Sequence, residues 1–130
     1  MPTKVLYIED ARDQADVVAE ILEFQFEDIE VQTAINGLEG INKARTWDPD
    51  LILLDLMMPR TDGIEVIHRI RRDPNIGDVP IVVISAWAGL GSQAANIAEQ
   101  AGANAVFPKP LEAEQLANIV ARYARRRRSD

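Results

Sequence analysis

The chain has 130 residues, of which 47% are hydrophobic and 27% are charged, and its net charge is -7. This length fits one domain that buries about two-thirds of the surface of its unfolded chain, and it leaves no room for a second domain. Because the sequence has no cysteine, it excludes a disulfide framework, a thiolate metal site and a cysteine nucleophile.

The charges are unevenly distributed along the chain. Four of the 14 Lys and Arg residues lie together at 125–128, whereas 20 of the 21 Asp and Glu residues precede residue 125. The acidic body, residues 1–124, would repel nucleic acid, and we interpret 125–130 as a basic tail that forms a solvated helix end or a linker. The sequence has no run of about 18 apolar residues and no signal-like N-terminus, which predicts a cytoplasmic protein without membrane contact.

Strand and helix patterns alternate from the first apolar run. Residues 5–8 form a short strand, and residues 11–25 have apolar positions at helical spacing. A second strand is predicted at Ile29–Ala34 and a second helix at Gly37–Trp47. The segment Leu51–Leu54 is apolar without alternation, which indicates a strand buried on both faces in the middle of a parallel sheet.

The same alternation continues to the C-terminal end of the body. A helix is predicted at Gly63–Arg72, a strand at 81–84, a helix at 94–101, a strand at 105–107 and a last helix at 111–123. Five strand and helix pairs predict an α/β fold with a doubly wound parallel sheet and helices on both faces. Ligands of such sheets bind at the carboxyl ends of the strands.

The predicted strand ends carry polar side chains of three kinds. Glu9 and Asp10 follow the first strand, Asp55 the third, Ser85 the fourth and Lys109 the fifth. Three carboxylates about 5 Å apart would repel each other by about 3 kcal/mol per pair, which raised carboxyl pKa values, the ammonium of Lys109 or a hard divalent cation could offset. Oxygen ligands without histidine or cysteine favour Mg²⁺. A carboxylate in such surroundings predicts a phosphoryl site with Asp55 as nucleophile.

Two simpler interpretations apply to single residues of this set. The acidic pair Glu9-Asp10 could cap the first helix, because aspartate is a favoured N-cap residue. Asp55 could be an ordinary turn residue at a strand end. The turn interpretation, however, does not explain why the other strand ends are also polar.

With these residues in place, the sequence resembles the receiver domain of bacterial two-component response regulators over residues 3–123. The resemblance rests on Glu9-Asp10, on PDLILLDLMMPRTDG at 49–63, on VISA with Ser85 and on FPKP with Lys109. It implies a flavodoxin-like three-layer fold with five parallel strands in the order 2-1-3-4-5, and it assigns residues 1–124 to one receiver domain.

The resemblance implies a magnesium site around Asp55. Asp10 corresponds to a direct Mg²⁺ ligand, Glu9 to an acidic partner that acts through water, and the carbonyl oxygen of Met57 to a further ligand. Asp55 corresponds to the phosphoacceptor, which takes a phosphoryl group from a phosphohistidine of a histidine kinase or phosphotransfer protein, or from a small phosphodonor.

The resemblance also implies how the phosphoryl group acts. Ser85 corresponds to the hydroxyl residue that bonds one phosphoryl oxygen, and Lys109 to the amine that pairs with another. The bond between Lys109 and Pro110 is expected to be cis. The domain would then switch conformation to regulate a downstream protein, and it could dimerise through its last two helices and last strand.

One position departs from the family pattern, and two others bear on the lifetime of the phosphoryl group. Val106 stands where an aromatic side chain usually moves on activation, and Phe107 should lie on the opposite side of the strand, in the core. Trp87 and Met57 lie two residues beyond Ser85 and Asp55, and neither is a good general base. We therefore predict slow hydrolysis of the aspartyl phosphate.

Other functions are disfavoured by single features. Phosphatases of the haloacid dehalogenase type place a second aspartate at the position of Met57, and a flavodoxin would need a phosphate loop in place of EDARDQ. We expect no enzymatic turnover beyond self-phosphotransfer and autodephosphorylation. The chain could also be the N-terminal receiver of a longer DNA-binding regulator, and the sequence does not identify the kinase or the partner.

Overall fold

The alternation of strands and helices is found in a computed structural model, which describes residues 2–58, 61–86 and 93–125. Four elements have the bounds that the sequence predicts, namely 29–34, 37–47, 51–54 and 63–72, and the other predicted elements agree to within one or two residues. In chain order the elements are β1 (Thr3–Ile8), α1 (Arg12–Gln25), β2 (Ile29–Ala34), α2 (Gly37–Trp47), β3 (Leu51–Leu54), β4 (Met57–Met58), β5 (Thr61–Asp62), α3 (Gly63–Arg72), β6 (Ile81–Ser85), α4 (Gln93–Ala101), β7 (Ala105–Pro108) and α5 (Ala113–Tyr123).

Five of the strands form one parallel sheet in the order β2-β1-β3-β6-β7. Counted within this sheet, the order is 2-1-3-4-5, so the predicted fold class is confirmed. β3 lies in the centre, and all four of its residues are fully buried. The prediction that Leu51–Leu54 is buried on both faces is therefore confirmed.

The sheet separates two hydrophobic cores, because successive strand residues point to opposite faces. On one face, Leu6 and Ile52 pack with α2, α3 and α4. On the other face, Val5 and Leu51 pack with α1 and α5. With helices on both faces, the carboxyl ends of the strands are the expected place for a binding site.

Some element ends differ from the predictions by one or two residues. β6 includes Ser85, and β7 includes Pro108. α5 begins at Ala113 because Gln115 turns back and its side chain accepts a hydrogen bond from the N–H of Glu112 at 2.9 Å. The segment between β3 and α3 also contains the two-residue antiparallel pair of β4 and β5, for which the sequence analysis predicted no element.

Val106 and Phe107 lie on opposite faces of β7, as predicted. Val106 packs against the core under α2, α3 and α4, whereas Phe107 packs against the other core and meets the ring of Tyr123 edge to face at 6.2 Å. Trp87 lies outside the described residues.

The first residue of the basic tail is attached to the body. Arg125 donates its backbone N–H to Asp50 O at 2.9 Å and its guanidinium to Pro49 O at 2.6 Å and Asp48 Oδ1 at 3.1 Å. These acceptors precede β3, at the end of the sheet away from Asp55. The other tail residues, 126–130, lie outside the described part of the chain. No helix in that part is long and apolar enough to cross a membrane.

Candidate functional site

The candidate site lies where β1 and β3 end side by side. Ile8 and Leu54 are paired in register, and the N–H of Asp55 donates to Ile8 O at 3.1 Å. Glu9 and Asp55 therefore leave neighbouring strands at the same level. Both are buried, with 1% and 4% of their surface exposed. Two buried carboxylates are costly unless cations or hydrogen-bond donors compensate them.

Asp10 completes a group that we name the acidic cluster: Glu9, Asp10 and Asp55. One carboxylate oxygen from each residue lies within 4.8 Å of the others, and Asp10 is exposed. The capping interpretation of Glu9-Asp10 is wrong, because the N-cap residue of α1 is Ala11 and its side chain makes no capping hydrogen bond. The acidic pair instead faces Asp55.

Lys109 connects the last strand of the sheet to this cluster. Its ammonium lies 2.5 Å from Glu9 Oε2 and 3.0 Å from Asp55 Oδ2. The bond between Lys109 and Pro110 is cis, as expected. The structure thus brings together four of the predicted site residues, namely Glu9, Asp10, Asp55 and Lys109.

The protonation of Asp55 and Lys109 follows from these contacts. Burial raises the pKa of Asp55, and the neighbouring Glu9 raises it further, while the N–H of Met57 and the ammonium of Lys109 oppose the shift. Burial alone would lower the pKa of Lys109, but its bonds to Glu9 and Asp55 raise it above the usual value. Lys109 therefore stays charged beside the acidic cluster.

Ser85 and Met57 are each linked to a site residue by a backbone hydrogen bond. Ser85 is fully buried at the end of β6, and its carbonyl oxygen accepts the N–H of Lys109 at 3.2 Å. The N–H of Met57 donates to Asp55 Oδ1 at 3.0 Å, and its side chain is 41% exposed. The roles of the Ser85 hydroxyl and the Met57 carbonyl oxygen stay predictions.

The sequence analysis did not identify two residues of the site. Tyr7 donates its hydroxyl to Glu9 Oε2 at 3.1 Å, and Gln14 Oε1 accepts a hydrogen bond from Lys109 at 2.8 Å. Burial raises the pKa of Tyr7 far above its usual value, as do the nearby Glu9 and Asp55 carboxylates, so its phenol stays protonated. A signal for Tyr7 was present, because residues two apart in a strand project to the same face.

The donor set of the site fits a hard divalent cation. Three carboxylates face one ammonium, which leaves a surplus of negative charge at a rim that is open to solvent through Asp10. Oxygen ligands of this kind suit Mg²⁺ and similar ions. The arrangement could therefore hold a cation against Asp55 and present that carboxylate to an electrophile.

Comparison with known proteins gives a consistent result. The family model of the response regulator receiver domain matches residues 5–121. The DNA-binding dual master transcriptional regulator RpaA of Synechocystis is 33% identical over 123 residues, which are 95% of this chain and 49% of RpaA. The chain thus spans about half the length of this curated relative.

Two shorter proteins match along almost their whole length. The polar-differentiation response regulator DivK of Brucella anthropi is 28% identical over 124 residues, which cover 95% of this chain and 97% of DivK. The crystal structure of the chemotaxis response regulator CheY4 of Vibrio cholerae has a TM-score of 0.83 and 26% identity, and the match covers 95% of this chain and 99% of CheY4.

Proposed function

The chain belongs to the family of response regulator receiver domains, and we propose that it takes a phosphoryl group onto Asp55 and passes the signal to another protein. The donor would be a phosphohistidine of a histidine kinase or phosphotransfer protein, or a small phosphodonor. The chain would modify only itself, by self-phosphotransfer and autodephosphorylation, without turnover of a separate substrate.

One observation carries this proposal: Asp55 is a buried carboxylate whose two oxygens have different partners. Oδ1 accepts the N–H of Met57 and Oδ2 accepts the ammonium of Lys109. Both donors fix the side chain at the end of the central strand. A carboxylate held in one orientation is prepared for in-line attack on phosphorus.

The transfer is a displacement at phosphorus. An oxygen of Asp55 forms a bond to phosphorus while the bond from phosphorus to the histidine nitrogen breaks, and that bond's electron pair leaves with the imidazole. The negative charge of the phosphoryl oxygens then lies next to Lys109. Because Lys109 is already 3.0 Å from Asp55 Oδ2, it would pair with a phosphoryl oxygen after a small displacement.

We propose Mg²⁺ as the cation of the acidic cluster. Asp10, Asp55 and the carbonyl oxygen of Met57 would hold it, and Glu9 would contribute through water. When bound, Mg²⁺ supplies positive charge that offsets the oxygens of the transferring phosphoryl group. The surplus of three carboxylates over one ammonium supports this assignment.

The surface beside Lys109 supports a protein as phosphoryl donor. A cavity of about 630 Å³ lies between α1 and α5, and its wall includes Val17, Ile21, Leu116 and Lys109. Val17 is 54% exposed. A protein that brings a phosphohistidine to Asp55 would find apolar surface next to the site, as interfaces with good affinity require.

We propose that the output is a change in binding to a downstream protein. Ser85 would bond a phosphoryl oxygen after transfer, and the change would reach the surface through β6 and β7, which carry Ser85 and Lys109. The net charge of -7 disfavours nucleic acid as the direct partner of this chain. The similarity to RpaA supports a second candidate, a receiver region within a longer DNA-binding regulator.

Mass spectrometry after incubation with acetyl phosphate and Mg²⁺ tests the chemistry. We expect the mass to increase by one phosphoryl group, and we expect no increase for Asp55→Ala. The matched control is Asp62→Asn, at the end of β5. Asp62 caps α3 by accepting the N–H of Ile64 at 3.0 Å, and asparagine caps helices equally well.

This control separates phosphorylation at Asp55 from nonspecific phosphorylation of other carboxylates. Asp62→Asn should gain the phosphoryl group like the unmodified protein. A phosphoryl group that Asp55→Ala still gains, or that forms equally well in excess chelator, would contradict the proposal.

A further inference from the structure

The buried phenol of Tyr7 has a contact that the phosphotransfer chemistry leaves unexplained. Tyr7 is 1% exposed, lies in β1 between Thr33 of β2 and Leu53 of β3, and directs its hydroxyl to Glu9 Oε2 at 3.1 Å. A phenylalanine would fill nearly the same volume in this core. Among the described residues, Glu9 is the hydrogen-bond partner of this hydroxyl.

Glu9 has three donors within the described residues. Its Oε1 accepts the N–H of Ala11 at 3.1 Å, and its Oε2 accepts both the hydroxyl of Tyr7 and the ammonium of Lys109. A carboxylate has about four acceptor positions. One position thus remains for a cation or its water, and the three donors decide where that position points.

The three donors respond differently when a cation enters the acidic cluster. The ammonium of Lys109 carries a positive charge and is repelled by a divalent cation, and a phosphoryl group on Asp55 would attract it away from Glu9. Tyr7 is neutral and fixed in the core, and Ala11 donates from the backbone. These two contacts do not depend on a charge that the cation would repel, so we expect them to persist when a cation or a phosphoryl group is present.

We propose that Tyr7 is a positioning residue that orients Glu9 toward the divalent cation of the phosphorylation site. This inference rests on the proposed function, because it assumes that the acidic cluster holds a divalent cation. Partners that orient metal ligands in this way commonly change metal affinity by about 10- to 100-fold when they are removed. The loss of metal affinity in Tyr7→Phe should lie near the lower end of this range, because Glu9 is expected to bind the cation through water.

The first experiment measures Mn²⁺ binding to unphosphorylated protein by electron paramagnetic resonance of the free ion. Tyr7→Phe should bind Mn²⁺ about 10-fold more weakly than the unmodified protein. The matched control is Tyr123→Phe, which removes the hydroxyl of the chain's other tyrosine. Its ring packs against Phe107 in the core, and this variant should bind Mn²⁺ like the unmodified protein.

A double-mutant cycle tests whether Tyr7 acts through Glu9. In a Glu9→Gln background, Tyr7→Phe should cost no further Mn²⁺ affinity. Equal losses in both backgrounds, or no loss in the single variant, would overturn the role of Tyr7. If the unmodified protein neither binds Mn²⁺ nor gains a phosphoryl group, the proposed function fails instead.

A second measurement needs no stable Tyr7 variant. Labelling the phenol carbon of tyrosine with ¹³C gives two signals, which Tyr123→Phe assigns. The Tyr7 signal should shift during titration with Mg²⁺ while the Tyr123 signal stays in place. A Tyr7 signal that does not move at saturating Mg²⁺ would also overturn the inference.

Discussion

The ammonium of Lys109 lies 3.0 Å from Asp55 Oδ2 and 2.5 Å from Glu9 Oε2, so one cation that follows the last strand is paired with two buried carboxylates that follow the first and third strands. Lys109 is 100 residues from Glu9 in the sequence. These ion pairs therefore connect the ends of the first, third and last strands, in addition to the packing of the two hydrophobic cores.

Removing this ammonium should destabilise the unliganded protein. Lys109→Met leaves Glu9 and Asp55 buried without their cation, and breaking buried ion pairs in this way costs about 3 kcal/mol. Because a divalent cation can compensate the same charge, Mg²⁺ should raise the Tm of Lys109→Met more than that of the unmodified protein. Thermal unfolding with and without Mg²⁺ measures both effects.

The control for this variant is Lys43→Met on α2. Lys43 is paired with Glu39 at 3.2 Å, and the side chains of both are more than one-third exposed. An exposed pair contributes at most about 1 kcal/mol, and Mg²⁺ should not change the difference. A Lys109→Met variant as stable as Lys43→Met would show that the ammonium does not hold the site together.

The stability of the protein should depend on pH through Asp55. Its pKa in the folded state is raised above the ordinary value of 3.8, chiefly by burial, so the folded chain binds this proton more tightly than the unfolded chain. The contribution of Asp55 to the free energy of unfolding is therefore complete below pH 3.8 and is lost as the pH rises through the raised pKa. Urea unfolding at several pH values, without divalent cations, measures this loss.

Asp55→Asn removes the titration and provides the comparison. Its stability relative to the unmodified protein should increase as the pH rises through the raised pKa. The control is Asp16→Asn, which removes an exposed carboxylate of α1. A stability difference for Asp55→Asn that stays constant across this pH range would contradict the prediction.

The sequence predicted the fold and the strand-end residues because both depend on local patterns. The uninterrupted apolar run Leu51–Leu54 indicated a central strand, and parallel strands necessarily bring their carboxyl ends to one edge. Glu9, Asp55 and Lys109 could therefore be placed together without any long-range information.

The contacts of Tyr7, Gln14 and Arg125 could not be predicted in the same way. Tyr7 looked like an ordinary strand residue, and only the position of Glu9 shows that its hydroxyl has a charged partner. Gln14, near the start of α1, meets Lys109 in the segment that follows β7, and these two segments are far apart in the sequence. Arg125 begins a run of arginines that suggested exposure to solvent, whereas its acceptors are backbone and side-chain oxygens before β3.

A further prediction concerns Arg71, which connects α3 to the segments around β6 and α4. Its guanidinium donates to Gly102 O at 2.9 Å, Val79 O at 2.6 Å and Asn104 Oδ1 at 2.9 Å. A lysine cannot reproduce this fork of donors, so Arg71→Lys should lose about 2 kcal/mol of stability. Urea unfolding measures the difference.

Arg69→Lys is the matched control on the same helix. The side chain of Arg69 is 59% exposed, and its Nε lies 3.9 Å from Glu65 Oε1. We expect a change within about 0.5 kcal/mol, as for most exposed ion pairs. Equal losses for the two variants would mean that the carbonyl oxygens around Arg71 are satisfied without its guanidinium.

The last prediction concerns the lifetime of the phosphoryl group on Asp55. Hydrolysis needs a water molecule in line with the bond between phosphorus and the Asp55 oxygen, and a side chain that orients it. Met57 stands two residues after Asp55 in the sequence. Its side chain is partly exposed and has no group that orients water. Trp87 stands two residues after Ser85 and lies outside the described residues. Its indole side chain is also not a good general base for a water molecule.

We therefore expect the phosphorylated protein to decay slowly in the presence of Mg²⁺. Mass spectrometry at successive times measures this decay. The family resemblance implies that side chains at these two positions govern the access of water, so Met57→Ala and Trp87→Ala should each shorten the lifetime. The control is Trp47→Phe, since Trp47 lies near Lys4 at the other end of the sheet, 5.7 Å from its ammonium. A lifetime of a few seconds that neither alanine variant shortens would show that these side chains do not control access of water to Asp55.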